Sequence, residues 1–280
     1  MKKIGKLLGV LAALALCLMG SAALAEEHSH TNWTGISTLP TEAGNYYLTG
    51  NVLISEKWIV PDGTVNLCLN GHTIRASRSF DSIQINNGAT LNVYDENDSG
   101  KIYQSGSYSY NIVNIRGGTF NLHGGCISES RKKGVYMTSG SITMSGGKIT
   151  GNSGRGIHMV DGSFTMSGGE ISSNNDGDVF QEGGSFTMSG GLITGNSTDN
   201  NGGGVFIRGG SFTMSGGTIS DNQAKGRYVR GGGVYFGGGT FTMTGGSITG
   251  NSAAYYGGGV YANGSKFSLS GSSEINNNND

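Results

Sequence analysis

The stretch Ser185-Phe186-Thr187-Met188-Ser189-Gly190-Gly191-Leu192-Ile193-Thr194-Gly195-Asn196 decides the fold. Phe186 and Met188 alternate with Ser185, Thr187 and Ser189, so an apolar pair faces one way and hydroxyls face the other, which is the period-two pattern of a short β-strand. Gly190 and Gly191 then supply a corner, because glycine reaches positive φ without a Cβ clash. Ile193 opens a second short strand, and Asn196 follows it three residues later.

Working outward, the phrase recurs. Ser141 to Gly147 reads SITMSGG, Ser163 to Gly169 SFTMSGG, Ser211 to Gly217 SFTMSGG and Thr240 to Gly246 TFTMTGG, with successive starts 22, 22, 26 and 29 residues apart. Units of this length bury their apolar face only by stacking on one another. A third strand lies upstream in Gly-Val-aromatic triplets such as Gly204-Val205-Phe206. Seven residues separate the β-branched residue of each triplet from the first apolar residue of the hydroxyl strand: Val113 to Phe120, Val135 to Ile142, Ile157 to Phe164, Val179 to Phe186, Val205 to Phe212, Val234 to Phe241 and Val260 to Phe267. All variation in length falls after the asparagine. Three strands and one variable loop per repeat predict a three-sided parallel β-helix, right-handed because parallel crossovers overwhelmingly are. About nine coils span residues 63–278, a stack about 40 Å tall.

Three inward files follow. One holds Leu91, Phe120, Ile142, Phe164, Phe186, Phe212, Phe241 and Phe267. The next holds Val93, Leu122, Met144, Met166, Met188, Met214, Met243 and Leu269. The third holds Ile127, Ile149, Ile171, Ile193, Ile219, Ile248 and Ile275. Asn152, Asn174, Asn196, Asn222, Asn251 and Asn278 form a further file, which reads as an asparagine ladder at a turn, each amide bonding its neighbours above and below.

The ends differ from the middle. Lys2, Lys3 and Lys6, an apolar run from Leu7 to Met19 and Ala23-Leu24-Ala25 make residues 1–25 read as an export signal cut before Glu26, too short for a spanning helix. The mature protein is therefore expected to be secreted or held at the cell surface, without a membrane span. Leu16 before Cys17 argues against a lipid anchor there. Cleavage removes three lysines and no acid, which takes the formal net charge from −1 to −4 and gives nucleic acid no attraction. Cys68 and Cys126 remain, two coils apart in different columns, beyond disulfide reach. Residues 26–62 lack the repeat, carry Trp33, Tyr46, Tyr47, Trp58 and both prolines, and read as an N-terminal cap over residues 63–280. The repeat runs to Asn278, so an open last coil is expected, continued by more chain or by end-to-end stacking on a partner.

The run Gly63-Thr64-Val65-Asn66-Leu67-Cys68-Leu69-Asn70-Gly71-His72-Thr73-Ile74, with the repeated Gly-Gly-Ser-Phe-Thr-Met-Ser-Gly-Gly, resembles secreted right-handed β-helix proteins of Gram-positive bacteria in the pectin-lyase-like superfamily. The Gly-Gly-Gly-Val and Ile-x-x-Asn elements are similar in kind to repeats of bacterial polymorphic surface adhesins. The resemblance covers about residues 40–278 and implies an architecture. For activity it implies a range, from polysaccharide lyases and glycosidases to adhesins.

Catalysis on such a scaffold needs carboxylates grouped on adjacent coils, or acids that hold calcium beside a base. Asp161, Asp176, Asp178, Asp199, Asp221, Glu170 and Glu182 instead occupy different loop positions, and Gly156-Ile157-His158 is a fragment of the superfamily's histidine motif. No catalytic residue is assigned; Asp176, Asp178 and His158 are the nearest candidates. His28 and His30 do not make a metal site, and no cofactor is expected.

Two outward columns are better candidates. Tyr136, His158, Phe180, Phe206, Tyr235 and Tyr261 each follow an inward β-branched residue, and a stripe of exposed rings stacks on sugars unless the rings pack on one another or under loops near Tyr228, Tyr255 and Tyr256. Thr143, Thr165, Thr187, Thr213 and Thr242 form a flat hydroxyl face suited to a crystalline polysaccharide or ice, and equally to simple solvation. Arg131, Lys132 and Lys133, with Lys225, Arg227 and Arg230, make two basic loops that read as solubilising. The expectation is an exported, adhesin-like interaction protein that binds a polysaccharide or a cell-surface partner; the alternative is a polysaccharide lyase or glycoside hydrolase on the same scaffold, and ice binding comes third.

Overall fold

A computed structural model describes residues 30–77, 80–96, 99–104, 109–263 and 266–280. The expected leader and His28 lie outside these residues. Every strand pairing among them is parallel and joins one coil to the next, so the chain winds as a right-handed β-solenoid of stacked turns.

Each turn has the three strands read from the repeat. In the central coil they are Val179–Gln181, Ser185–Met188 and Leu192–Thr194. The third wall is a sheet of its own, ten strands deep, from Val52–Ile54 to Glu274–Asn276. Nine of these rungs lie beyond residue 63, matching the nine coils anticipated there. The triplet and hydroxyl walls belong to one continuous sheet bent along a corner. In Val113–Leu122 and Val135–Met144 a single strand runs through that corner, with the register shift at Arg116 absorbing the bend. A short three-stranded ladder, Ser197–Thr198, Gln223–Ala224 and Ser252–Ala253, forms where the loops are longest.

The paired glycines have separate jobs. Gly191 takes φ 84°, and a Cβ there would lie 2.6 Å from the Met166 methyl of the coil before, which fills that space. At Gly190 a Cβ would run into the Ser167 carbonyl oxygen. The corner therefore requires glycine because of close approach as well as backbone conformation.

The inward files are buried. Phe164, Phe186, Phe212 and Phe241 stack with centroids 4.5 to 4.6 Å apart and planes 8° to 11° from parallel. The register that aligns Phe186 with Phe212 holds each ring at the inter-coil spacing. In the last coil the same files are more open: Phe267 and Leu269 are 37% and 51% exposed.

Of the expected cap, residues 30–62 cover the first coil by joining it. Gly44–Leu48 pairs with Gly63–Cys68, Val52–Ile54 with Thr73–Ala76 and Trp58–Ile59 with Ile83–Asn86, while Thr34–Ile36 adds an end strand. The boundary expected between residues 62 and 63 thus falls inside the solenoid. The repeat phrase is missing there, but its inward alternation survives in the buried Leu48, Val52 and Ile54, and the Trp58 indole N–H is satisfied by the Pro40 carbonyl at 3.0 Å.

Candidate functional site

Inside the turn that follows the third wall, Asn196 shows the ladder geometry. Its backbone N–H and its Nδ2 both donate to Asn222 Oδ1, at 3.1 and 2.7 Å, while its own Oδ1 accepts from the Asn174 backbone N–H at 2.9 Å. The same pattern runs from Ser130, which donates to Asn152, as far as Asn251 and Asn278. One rung is distorted. Asp178 occupies the position held by Gly134, Gly156, Gly204, Gly233 and Gly259 in other coils, and it draws Asn174 Nδ2 to itself at 2.6 Å, leaving the rung to Asn196 at 3.5 Å. Asp178 is 1% exposed and its Oδ2 has no partner. Burial pushes its carboxyl well above the usual carboxylate range, with the Asn174 bond opposing. It faces the ladder rather than solvent, which removes it from the catalytic candidates.

The aromatic column is in register from Tyr136 through His158, Phe180, Phe206 and Tyr235 to Tyr261. It is not an open stripe. His158, Phe180 and Tyr235 are only 8% to 9% exposed, and the other three are half-buried. From Tyr136 to Tyr235 successive rings meet edge to face at 4.8 to 5.2 Å, so they cover one another. The Arg155 guanidinium sits 3.7 Å over Phe180, and Arg230 lies over Tyr261 and over Tyr255 of the loop layer. The rings lose their faces to neighbours from other coils and loops, which strand alternation does not reveal.

Charged groups scattered in sequence converge beside this column. His158 Nε2 is 2.7 Å from Glu182 Oε1, Arg155 Nη1 is 3.5 Å from His158 Nδ1, and Arg155 Nε is 3.6 Å from Asp176 Oδ2. Sequence reading missed Arg155, which joins His158 to Asp176, and set Glu182 apart as one of the scattered acids although it pairs with His158. Burial, with the Lys133 and Arg155 cations adding to it and Glu182 opposing, lowers His158 to about 4, so its imidazole is neutral at pH 7. Lys133, over the Tyr136 ring at 4.4 Å, is also lowered, first by burial and then by Lys132 and Arg155.

The hydroxyl wall is different in kind. Thr143, Thr165, Thr187, Thr213 and Thr242 align across adjacent strands, flanked on one side by Ser141, Ser163, Ser185, Ser211 and Thr240 in the same register. Thr165 is exposed and the other threonines half-exposed. Towards the N-terminus the threonine column becomes asparagine: Asn45, Asn66, Asn92 and Asn121 occupy the same positions. Asn66, Asn92 and Asn121 each donate Nδ2 to the Oδ1 of the preceding asparagine, at 2.6 Å. The signal for this outer ladder lies in the sequence, since Asn66, Asn92 and Asn121 each stand between two inward apolar residues as the threonines do.

Cys68 and Cys126 are not joined, and they lie on different walls. The buried Cys68 thiol is pushed up to about 11, chiefly by desolvation. Among the described residues no three of His, Cys, Asp and Glu group as metal ligands, and no helix is long and apolar enough to cross a membrane.

Comparison with known families places this geometry. Residues 111–280 match the family model described as right-handed β-helix region. The match covers more than half of the chain, so the protein belongs to the right-handed β-helix family. Neither curated proteins nor solved structures give a match. Residues 30–110 lie outside the family match, yet the pairings Gly63–Cys68 with Ala89–Tyr94 and Thr73–Ala76 with Lys101–Gln104 carry the same walls through them.

Proposed function

We propose that this protein is an exported interaction protein, adhesin-like, that holds a polysaccharide against the hydroxyl wall. The observation that carries the reading is the contrast between the two outer walls. The aromatic column spends its ring faces on other rings and on arginines, whereas the threonine wall is a flat array of donors and acceptors in strict register. A rigid array orders few side chains on binding, and threonine brings little rotamer entropy to lose. Export rests on residues 1–25, whose basic, apolar and small-residue order is that of a secretion signal.

Sedimentation with insoluble polysaccharides tests the reading. The wild-type chain is expected to co-sediment, and the variant carrying Thr165→Lys, Thr187→Lys and Thr213→Lys is expected to stay in the supernatant while keeping its far-UV spectrum. Equal retention of both removes the threonine wall. Catalysis on the same scaffold is favoured by one observation, the meeting of His158, Glu182, Arg155 and Asp176. A hydrolysis and lyase screen with calcium, on wild type and Glu182→Gln, decides it: product that depends on Glu182 supports an enzyme.

A further inference from the structure

We propose that the N-terminal coils of the hydroxyl wall form a subsite for a neutral polysaccharide chain lying along the helix axis, held by the outer amide ladder and bordered by Tyr47, Tyr94 and His123. This deepens the polysaccharide reading above and rests on it.

The hydrogen-bond inventory makes the first argument. A primary amide has two N–H donors and two acceptor lone pairs. In the ladder Asn66 and Asn92 each use one N–H and accept one bond, so each half-exposed amide keeps a second N–H and a second lone pair beyond the ladder. The pair repeats at the coil spacing of about 4.8 Å. Sugar hydroxyls donate and accept at once, so they match a row of alternating amide N–H and C=O groups. The mutual bonds already hold the amides in one orientation, which lowers the ordering cost when a ligand arrives.

The second argument is the flank. Two residues beyond the amides on the same strands stand Tyr47 and Tyr94, and His123 follows Asn121 likewise. Tyr94 stacks on His123 at 4.6 Å, the Trp33 ring meets Tyr94 edge-on at 5.8 Å, and His30 stacks on Tyr47 at 4.6 Å. These rings are half-exposed. Tyr94 and His123, like Tyr47 and His30, already lie face to face, so what they offer a sugar is ring edges and half-exposed apolar surface beside the amide row.

Charge selects the ligand class. Across these coils the outward columns hold Thr64, Thr90 and Thr119 on one side and Tyr47, Cys68, Tyr94 and His123 on the other, with no Asp, Glu, Lys or Arg among them. The cations that would attract a polyanion, Lys133 and Arg155, stand instead beside the aromatic column of the triplet wall. A neutral chain exchanges its water hydrogen bonds for bonds to the amides and leaves no charge to desolvate unpaired, whereas a polyanion finds no countercharge there.

Retention of the full chain on cellulose and on chitin particles, with soluble polygalacturonate as the charged comparison, tests the assignment. Wild type is expected to bind a neutral particle with little dependence on salt. The double variant Asn66→Ala, Asn92→Ala and the single variant Tyr94→Ala are each expected to lose about tenfold in affinity, the effect of roughly one or two hydrogen bonds or of one ring's exposed contact. Shifts of the Asn66 and Asn92 side-chain amide resonances on titrating a neutral oligosaccharide into wild type give a second readout that needs no variant to fold. Neutral binding that survives both folded variants, with no amide shift, overturns the subsite and leaves the threonine wall standing. Salt-sensitive binding of polygalacturonate alone overturns the subsite and moves recognition to the triplet wall. No binding to any of the three overturns both this inference and the polysaccharide reading.

Discussion

Truncating Asn196 to alanine isolates the contribution of one rung of the buried ladder. The variant loses the Nδ2 bonds to Asn222 Oδ1, to Thr194 O and to Ile171 O and the acceptor for the Asn174 backbone N–H. Two of the neighbours keep partners: Asn222 Oδ1 still receives the Asn196 backbone N–H, and Asn174 Nδ2 still donates to Ile149 O and Asp178 Oδ1. The group left stranded is the Asn174 backbone N–H, in a residue with no solvent exposure. One orphaned buried donor costs about 1–3 kcal/mol. For a chain of this size each kcal/mol lowers the melting temperature by about 2–4 °C, so a loss of about 2 kcal/mol means roughly 4–8 °C. The control is Asn278→Ala. It strands the backbone N–H of Asn251, as buried as Asn174, but Asn278 itself is only half-buried, so water can enter the vacated position and the cost stays below about 1 kcal/mol. Thermal unfolding followed by far-UV circular dichroism measures both. An unchanged melting point for Asn196→Ala, or equal drops for the two variants, would refute the argument that burial of the ladder sets its worth.

Three other outcomes follow from the same structure. Asp178 titrates above its ordinary value in the folded chain, so the unfolded chain ionises first as pH rises; stability present below about pH 4 is lost above it, and Asp178→Asn is expected to match wild type at pH 4 and exceed it at pH 8 in urea titrations. His158 is held down to about 4, so its contribution is present above about pH 6.5 and is lost as pH falls towards 4; NMR titration is expected to place its midpoint near 4 and to move it upward in Arg155→Ala, and a midpoint near 6.5 in wild type contradicts the burial argument. Phe212→Ala empties a slot between two stacked rings and is expected to cost about 3–5 kcal/mol by chemical denaturation, against a clearly smaller cost for the partly exposed Phe267→Ala.

Local pattern was enough for the architecture. Alternation in Ser185–Met188 assigns Phe186 and Met188 to the interior, the glycine pair places the corner, and the constant offset of seven residues sets the register; each is a property of consecutive residues, repeated until stacking becomes the sole way to bury the apolar face. The first coil escaped because Leu48, Val52 and Ile54 carry the inward pattern without the repeated phrase. Exposure of the outward residues is another matter. Phe180 and Tyr235 point away from the core as alternation requires, yet Arg155, Phe206 and the rings of neighbouring coils cover them. His158 meets Glu182 24 residues along the chain and Asn66 meets Asn92 26 residues along, distances that the variable loops set coil by coil. Period two decides which side of a wall a residue occupies; only the stacked coils and their loops decide whether that side is open to a ligand.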